Sequence, residues 1–171
     1  MKRDSRGYCI TSGFGQRHST LIEARLAELG ILLPSVSAPI VNYVPFVSSG
    51  NLLFISGQGP WSEDGQRCRG VIGRDLSVET GFQHARLAGL RLLAVAKAAL
   101  GSLDRVQQVV KVLGFVNASP DFRDHPAVIN GCSNLLVEVY GDKGRHARSA
   151  VGSNGLPENI SVEIEAVLEF R

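Results

Sequence analysis

The feature that most constrains this chain is a valine-rich run, Val106–Val116, with no breaker before Gly114. β-Branched side chains are stiff and pack well on a pleated surface, so the run predicts a buried strand. A long helical pattern lies on either side of it. Ser77 is a good N-cap for the first, in which apolar residues recur at Phe82, Ala85, Leu92, Ala96 and Ala99 before Gly101 closes the helix. The second starts near Pro126, a residue suited to the first helical turn, and stops at Tyr140-Gly141.

Strand patterns flank this block. Val41–Val44 with Phe46-Val47, the turn cluster Ser48–Asn51, and Leu52–Ser56 read as a hairpin in which Tyr43 is a strand residue. A short strand near Arg69–Ile72 is also expected. After the second helix come a charged loop at Asp142–Ala147, a strand at Arg148–Val151, a turn region at Asn154–Pro157 and a final strand at Ile160–Phe170. In that last strand Val162, Ile164 and Ala166 alternate with Glu163 and Glu165. One face is therefore apolar, and the other is acidic and then apolar again at Val167. Strands at both ends with two long helices between them predict an α+β fold, a mixed sheet with both helices on one face.

Ahead of the domain, Thr20–Glu23 forms a capping box for a short helix that Gly30 ends, and Pro34 and Pro39 mark a linker. This divides the chain into a disordered arm at 1–18, a leading helix and linker at 19–39, and a main domain at 40–171. The arm holds Lys2, Arg3, Arg6 and Arg17 against Asp4, so it carries the positive balance of a chain whose formal charge is +2. The remaining body is close to neutral, and aromatics are only 6% of the chain. Such a body is poor material for a phosphate-tracking groove or a base-stacking platform, and no nucleic-acid partner is expected. No apolar run is long enough to span a membrane, and the N-terminus lacks the apolar core of a secretory signal. An odd cysteine count without CxxC, and histidines without HxxxH, point to a reducing cytoplasm and to no metal site.

Candidate chemistry is sparse. Arg148 and Glu163 lie on successive C-terminal strands, and an antiparallel pairing would bring them to one sheet edge. A guanidinium binds a carboxylate bidentately, and a nearby carboxylate can orient or deprotonate water. The blander reading of this pair is a cross-strand salt bridge. Gly57 and Gly59 end a strand, where backbone can approach a ligand, or can simply turn. No nucleophile elbow, dinucleotide fingerprint or phosphate loop is present. Cys132 reads as an inert core residue, and His125 and His146 as solvated loop residues.

Three stretches together resemble the Rid proteins, the reactive intermediate deaminases also called YjgF-like or L-PSP proteins. They are Asn42–Pro45 with Gly50–Pro60; Val110–Asn117 with Phe122 and Val128–Asn130; and Ala147–Val151 through Leu156-Pro157 to Val162–Ala166. The resemblance implies a chorismate-mutase-like fold and a homotrimer with sites in clefts between subunits. It implies hydrolysis of 2-imino or enamine acids to 2-oxo acids and ammonia, a 2-imino-acid deaminase needing no cofactor. By carry-over, Arg148 clamps the substrate carboxylate, Glu163 positions water, and Tyr43, Gly57 and Asn130 line the pocket. Ala150 departs from the cysteine that many such deaminases carry two residues after the arginine, which leaves the substrate open. The alternatives are a non-catalytic metabolite-binding trimer and an endoribonuclease of the L-PSP type.

Overall fold

The computed structural model describes residues 21–36 and 42–171. The arm, Thr20 of the capping box, Pro39 and Val41 lie outside the described residues. The elements in chain order are α1 (Leu21–Glu28), β1 (Phe46–Ser49), β2 (Leu52–Gln58), α2 (Val78–Leu100), β3 (Val106–Asn117), α3 (His125–Tyr140), β4 (Ala147–Ser153) and β5 (Val162–Phe170). The helix readings hold closely. Ser77 caps α2 by accepting the Thr80 N–H, and Gly101 closes it in the left-handed region at φ 77°, where only glycine sits without a Cβ penalty.

The strands form one sheet in the order β1-β2-β5-β3-β4, with β3 and β4 parallel and every other pair antiparallel. Strands β1 and β2 make the expected hairpin around Gly50. Its first strand is shorter than the sequence pattern suggests: it begins at Phe46, and Tyr43 sits in a bend before it. Pro45 has no N–H to give to a ladder, which fits a strand that begins just after it. The expected short strand at 69–72 is reduced to isolated bridges, Arg69 to Ile160 and Ile72 to Ala118.

The main helices cover one sheet face. Leu53, Ile55, Val109, Val112, Val116, Val162, Ile164 and Leu168 are buried there against Ala85, Leu92, Leu93, Ile129, Cys132 and Leu136. The burial of β5 alternates as its sequence does, with Val162, Ile164, Ala166 and Leu168 inward. The opposite face is open. Val47, Phe54 and Val151 are 55%, 44% and 41% exposed, and Val47, Phe54, Lys111, Leu113, Glu165 and Val167 line a shallow depression of about 240 Å³ on that face. Helix α1 docks against the C-terminal part of α3, the turn at 103–105 and the last turn of α2. Leu26 is buried, the Ile22 N–H donates to Asp104 Oδ1 at 2.8 Å, and Lys97 pairs with Glu23 at 2.8 Å.

Helices α2 and α3 touch at Gly131, where any Cβ would overlap the Phe82 carbonyl of α2. Backbone cannot yield as a side-chain tip can. Gly131→Ala is therefore expected to destabilise the fold by about 2 kcal/mol or more, through overpacking of the helix pair. Chemical denaturation beside an exposed control such as Ala98→Gly, expected to cost about 1 kcal/mol, checks this.

Candidate functional site

The predicted site residues fall into two clusters. The first is built on α3 and β4. Arg148 faces the helical layer, in register with Val112 of β3 and Ala166 of β5. Its Nη1 donates to Asn130 Oδ1 at 2.8 Å and to Ser133 Oγ at 3.0 Å. Asn130 and Ser133 are one helical turn apart and so share a face of α3. Ser133 Oγ lies 3.0 Å from His146 Nε2, and His146 Nδ1 lies 2.6 Å from the Gly144 carbonyl. A carbonyl only accepts, so Nδ1 carries the proton, and Nε2 of the neutral ring accepts from Ser133. Ser133 thus accepts from Arg148 and donates to His146, which fixes the direction of every bond in the chain. Burial holds the His146 imidazole below its ordinary pKa, the Gly144 carbonyl opposes this, and the nearby Arg148 charge adds to the lowering.

No carboxylate lies within ion-pair distance of Arg148 among the described residues. The cross-strand salt bridge is not formed, and the guanidinium keeps donors free for an external acid. Along the same face of β4 follow Ala150 and then Gly152, whose missing side chain leaves room for the His125 ring: a Cβ there would stand 2.6 Å from Nε2. His125 packs edge-on to Phe122 at 5.1 Å. Both histidines expected to be solvated loop residues are half-buried beside the Arg148 cluster. Cys132 behaves as expected: it is fully buried, and burial pushes its thiol to about 12.

The second cluster is built on the ends of β2 and β5. Glu163 is half-buried on the open face, in register with Phe115. Its carboxylate lies over Gly57, where any Cβ would overlap it. Burial raises the Glu163 carboxyl above the usual range, Glu165 raises it further, and Arg67 lowers it. The Tyr43 segment docks beside this cluster: the Ser56 N–H donates to the Pro45 carbonyl at 3.0 Å, and Ser56 Oγ donates to the Val44 carbonyl at 2.7 Å. Tyr43 itself is 63% exposed.

The pairing expected for Arg148 and Glu163 is therefore corrected. Strand β3 lies between β4 and β5, which separates the two residues laterally by about 10 Å, two strand spacings. Arg148 also faces the helices while Glu163 faces the open side, because β5 positions alternate and Glu163 is an odd number of positions from Ala166. Within one chain Arg148 joins Asn130, Glu163 joins Gly57, and the two clusters do not meet. Sequence reasoning missed Ser133 and His146. The signals were present: Ser133 follows Asn130 by one turn, and His146 precedes Arg148 by two along a strand direction.

The five-stranded mixed sheet with its helical layer is that of the chorismate-mutase-like proteins. The model of the family described as "YjgF/chorismate_mutase-like, putative endoribonuclease" matches residues 23–167, and the chain belongs to that family. Protein TCP17 of Trypanosoma cruzi is 45% identical over 150 residues, covering 87% of this chain and 94% of TCP17. The crystal structure of the protein Atu1372 from Agrobacterium tumefaciens, of unknown function, is similar at a TM-score of 0.80 and 47% identity, covering 88% of this chain and 94% of that one. The structure of RidA from an Antarctic Psychrobacter is similar at a TM-score of 0.55 and 26% identity, covering 80% of this chain and 94% of that one. Among the described residues no helix is long and apolar enough to cross a membrane, and no three metal-type side chains gather.

The lowered His146 pKa has a consequence for stability. A group whose folded pKa lies below its unfolded value leaves stability intact above the unfolded pKa, about 6.5 for histidine. That stability is lost as pH falls through the folded pKa. The wild-type melting temperature is expected to drop as pH falls below about 6.5, and His146→Gln is expected to reduce that drop. His84, also lowered by burial, contributes to the part that remains. Thermal melts of both proteins from neutral to mildly acidic pH check this.

Proposed function

We propose that this chain is a deaminase that hydrolyses small 2-imino or enamine acids to 2-oxo acids and ammonia. Its sites lie in clefts of a cytoplasmic homotrimer, where Arg148 of one subunit faces Glu163 of the next. The observation that carries this reading is Arg148: a half-buried guanidinium oriented by Asn130 and Ser133 and paired with no carboxylate among the described residues. Such a fork takes a carboxylate bidentately and fixes the attached imine carbon in space. The resemblance to the Rid proteins and the similarity to a structure named RidA support the same chemistry.

The roles follow from the groups. Arg148 binds the substrate carboxylate. The Glu163 carboxylate takes a proton from water as the water oxygen bonds to the imine carbon and the C=N π pair moves to nitrogen. The same carboxyl returns the proton to that nitrogen. Glu163 then carries the hydroxyl proton to the amine nitrogen, and the C–N bond breaks with its electron pair leaving on nitrogen as ammonia while an oxygen pair closes the C=O of the 2-oxo acid. A carboxyl raised toward neutrality by burial is suited to both proton transfers. Gly57 leaves the space in which Glu163 lies, and Tyr43 and Asn130 complete the pocket. No cofactor takes part in these steps.

The opposite-face placement of Arg148 and Glu163 makes the shared cleft testable. Arg148→Ala and Glu163→Gln are each expected to lower kcat/KM for 2-iminopropionate hydrolysis at least about 100-fold. Refolding the two inactive variants together is expected to restore a fraction of the activity, since mixed trimers contain clefts with both wild-type residues. Hydrolysis no faster than buffer in the wild type overturns the catalytic reading. A melting shift with pyruvate that depends on Arg148, without turnover, would select a binding protein instead.

The acidic limb of the rate profile gives a second check. Glu163 works as a base only when ionised, and its folded pKa is raised. Activity is therefore expected to fall with decreasing pH at a value above the usual 4.5 of a glutamate, with no such limb in the residual rate of Glu163→Gln. A pH–kcat/KM series measures both.

A further inference from the structure

A group of side chains outside the roles above gathers around the lone tryptophan. Trp61 and Arg67 face each other across an isolated antiparallel bridge. The reversal between them is held by the Ser62 N–H donating to the Gln66 carbonyl at 2.9 Å. The Arg67 guanidinium lies 4.7 Å from the centre of the Trp61 ring, and the Arg91 guanidinium, from α2, lies 5.4 Å from it. Two guanidiniums thus share one indole. Arg67 has a partner, Glu158, at 3.2 Å, but Arg69 draws on the same Glu158 oxygen at 3.0 Å. Arg91 has none: its Nε is buried without a hydrogen-bond partner, and no carboxylate among the described residues lies within ion-pair distance of it.

The charge balance here is one-sided. Arg67 and Arg69 share the Glu158 carboxylate, Arg67 also acts on the Glu163 carboxyl, and burial together with the charge of Arg67 disfavours the protonated form of Arg91. A half-buried cation with no anion is costly to keep, and stacking on an indole returns only about 0.5–2 kcal/mol. The backbone beside it is also held in an unusual state. Glu158 and Asn159 are consecutive non-glycine residues at φ 55° and 59°, a conformation that persists only where surrounding contacts impose it. The imposing contact is in place, with buried Asn117 donating to Asn159 Oδ1 at 2.9 Å and to the Ile160 carbonyl at 3.1 Å. The loop that presents Glu158 is therefore anchored to β3 through Asn117. Fixed guanidiniums on an aromatic platform, with fewer carboxylates than cations, are the makings of a receptor for a planar or tetrahedral anion.

We propose that Trp61, Arg67 and Arg91 form an anion-binding subsite, separate from Arg148, that takes the carboxylate or phosphate group of a small molecule. Trp61 is the only tryptophan in the chain, so its emission reports on this subsite alone. The full-length protein is titrated with inorganic phosphate and, separately, with succinate, with ionic strength held constant by sodium chloride. The expected result is a saturable change in Trp61 emission with at least one of the two, and the responding anion identifies the group the subsite takes. Arg91→Met is expected to abolish the change, and Arg67→Met to weaken binding at least tenfold. Arg148→Ala is expected to leave it intact, so this outcome does not depend on the deaminase reading. The subsite is overturned by a response to neither anion, by a response that chloride reproduces, or by one that survives in Arg91→Met. A response lost in Arg148→Ala would assign the anion to the other cluster and also overturn it. If Arg91→Met does not fold, as judged by circular dichroism, Arg67→Met and Arg91→Lys decide. Unchanged binding in Arg67→Met would overturn the subsite, and retention in Arg91→Lys with loss in Arg67→Met would support it.

Discussion

The two-residue alternation of β5 is the constraint on which the rest of the molecule depends. The strand is central, paired with β2 on one side and β3 on the other. Its inward residues Val162, Ile164, Ala166 and Leu168 close the core against the helices, and that burial fixes the register. A slip of one residue would drive Glu163 and Glu165 into the apolar layer, at a cost no sheet pairing could offset. The same alternation therefore also sets Glu163 on the open face over Gly57. Fold and candidate chemistry are specified by one repeating pattern.

The edge strand β4 obeys a different rule. It joins the sheet in parallel through α3, and a parallel connection needs a crossover element, here a helix lying on the core side. Arg148 points toward that helix. In a fully covered sheet this would bury an unpaired cation, but β4 is the last strand, so Arg148 is only half-buried and can be held by Asn130 and Ser133. The hydrogen-bond chain continues through His146 to Gly144. Arg148 is thus oriented by neutral groups, and no carboxylate among the described residues pairs with its charge.

The open sheet face has a composition that sits poorly with water alone. Val47, Phe54 and Val151 are exposed on it beside Lys111, Glu163 and Glu165. The mixed character was visible in the alternation of the last strand. The apolar contributions from Phe54 and Val151 were not, because they come from strands far apart in sequence. A homotrimer that buries this face would bring Glu163 of one chain toward an edge of another, as the proposed cleft requires.

What the sequence alone determined is whatever is local. The bounds of α2 and α3, their caps at Ser77, Gly101 and Gly141, the β1–β2 hairpin and the two-faced β5 follow from periodicity and from turn chemistry within a few residues. The resemblance to the Rid proteins named Arg148 and Asn130 as separate site residues, and the hydrogen bond between them came only from the tertiary structure. Tertiary structure alone decided that β3 is inserted between β4 and β5, and so placed Arg148 and Glu163 on opposite faces. Strand patterns state which face is apolar but not which strand is the neighbour, because backbone hydrogen bonds are the same for every partner. The gathering of Arg67 and Arg91 on Trp61 was likewise unreadable. It joins a turn and the middle of a helix, with no repeat or spacing to announce it, and exists only because packing α2 on the sheet brings them within reach.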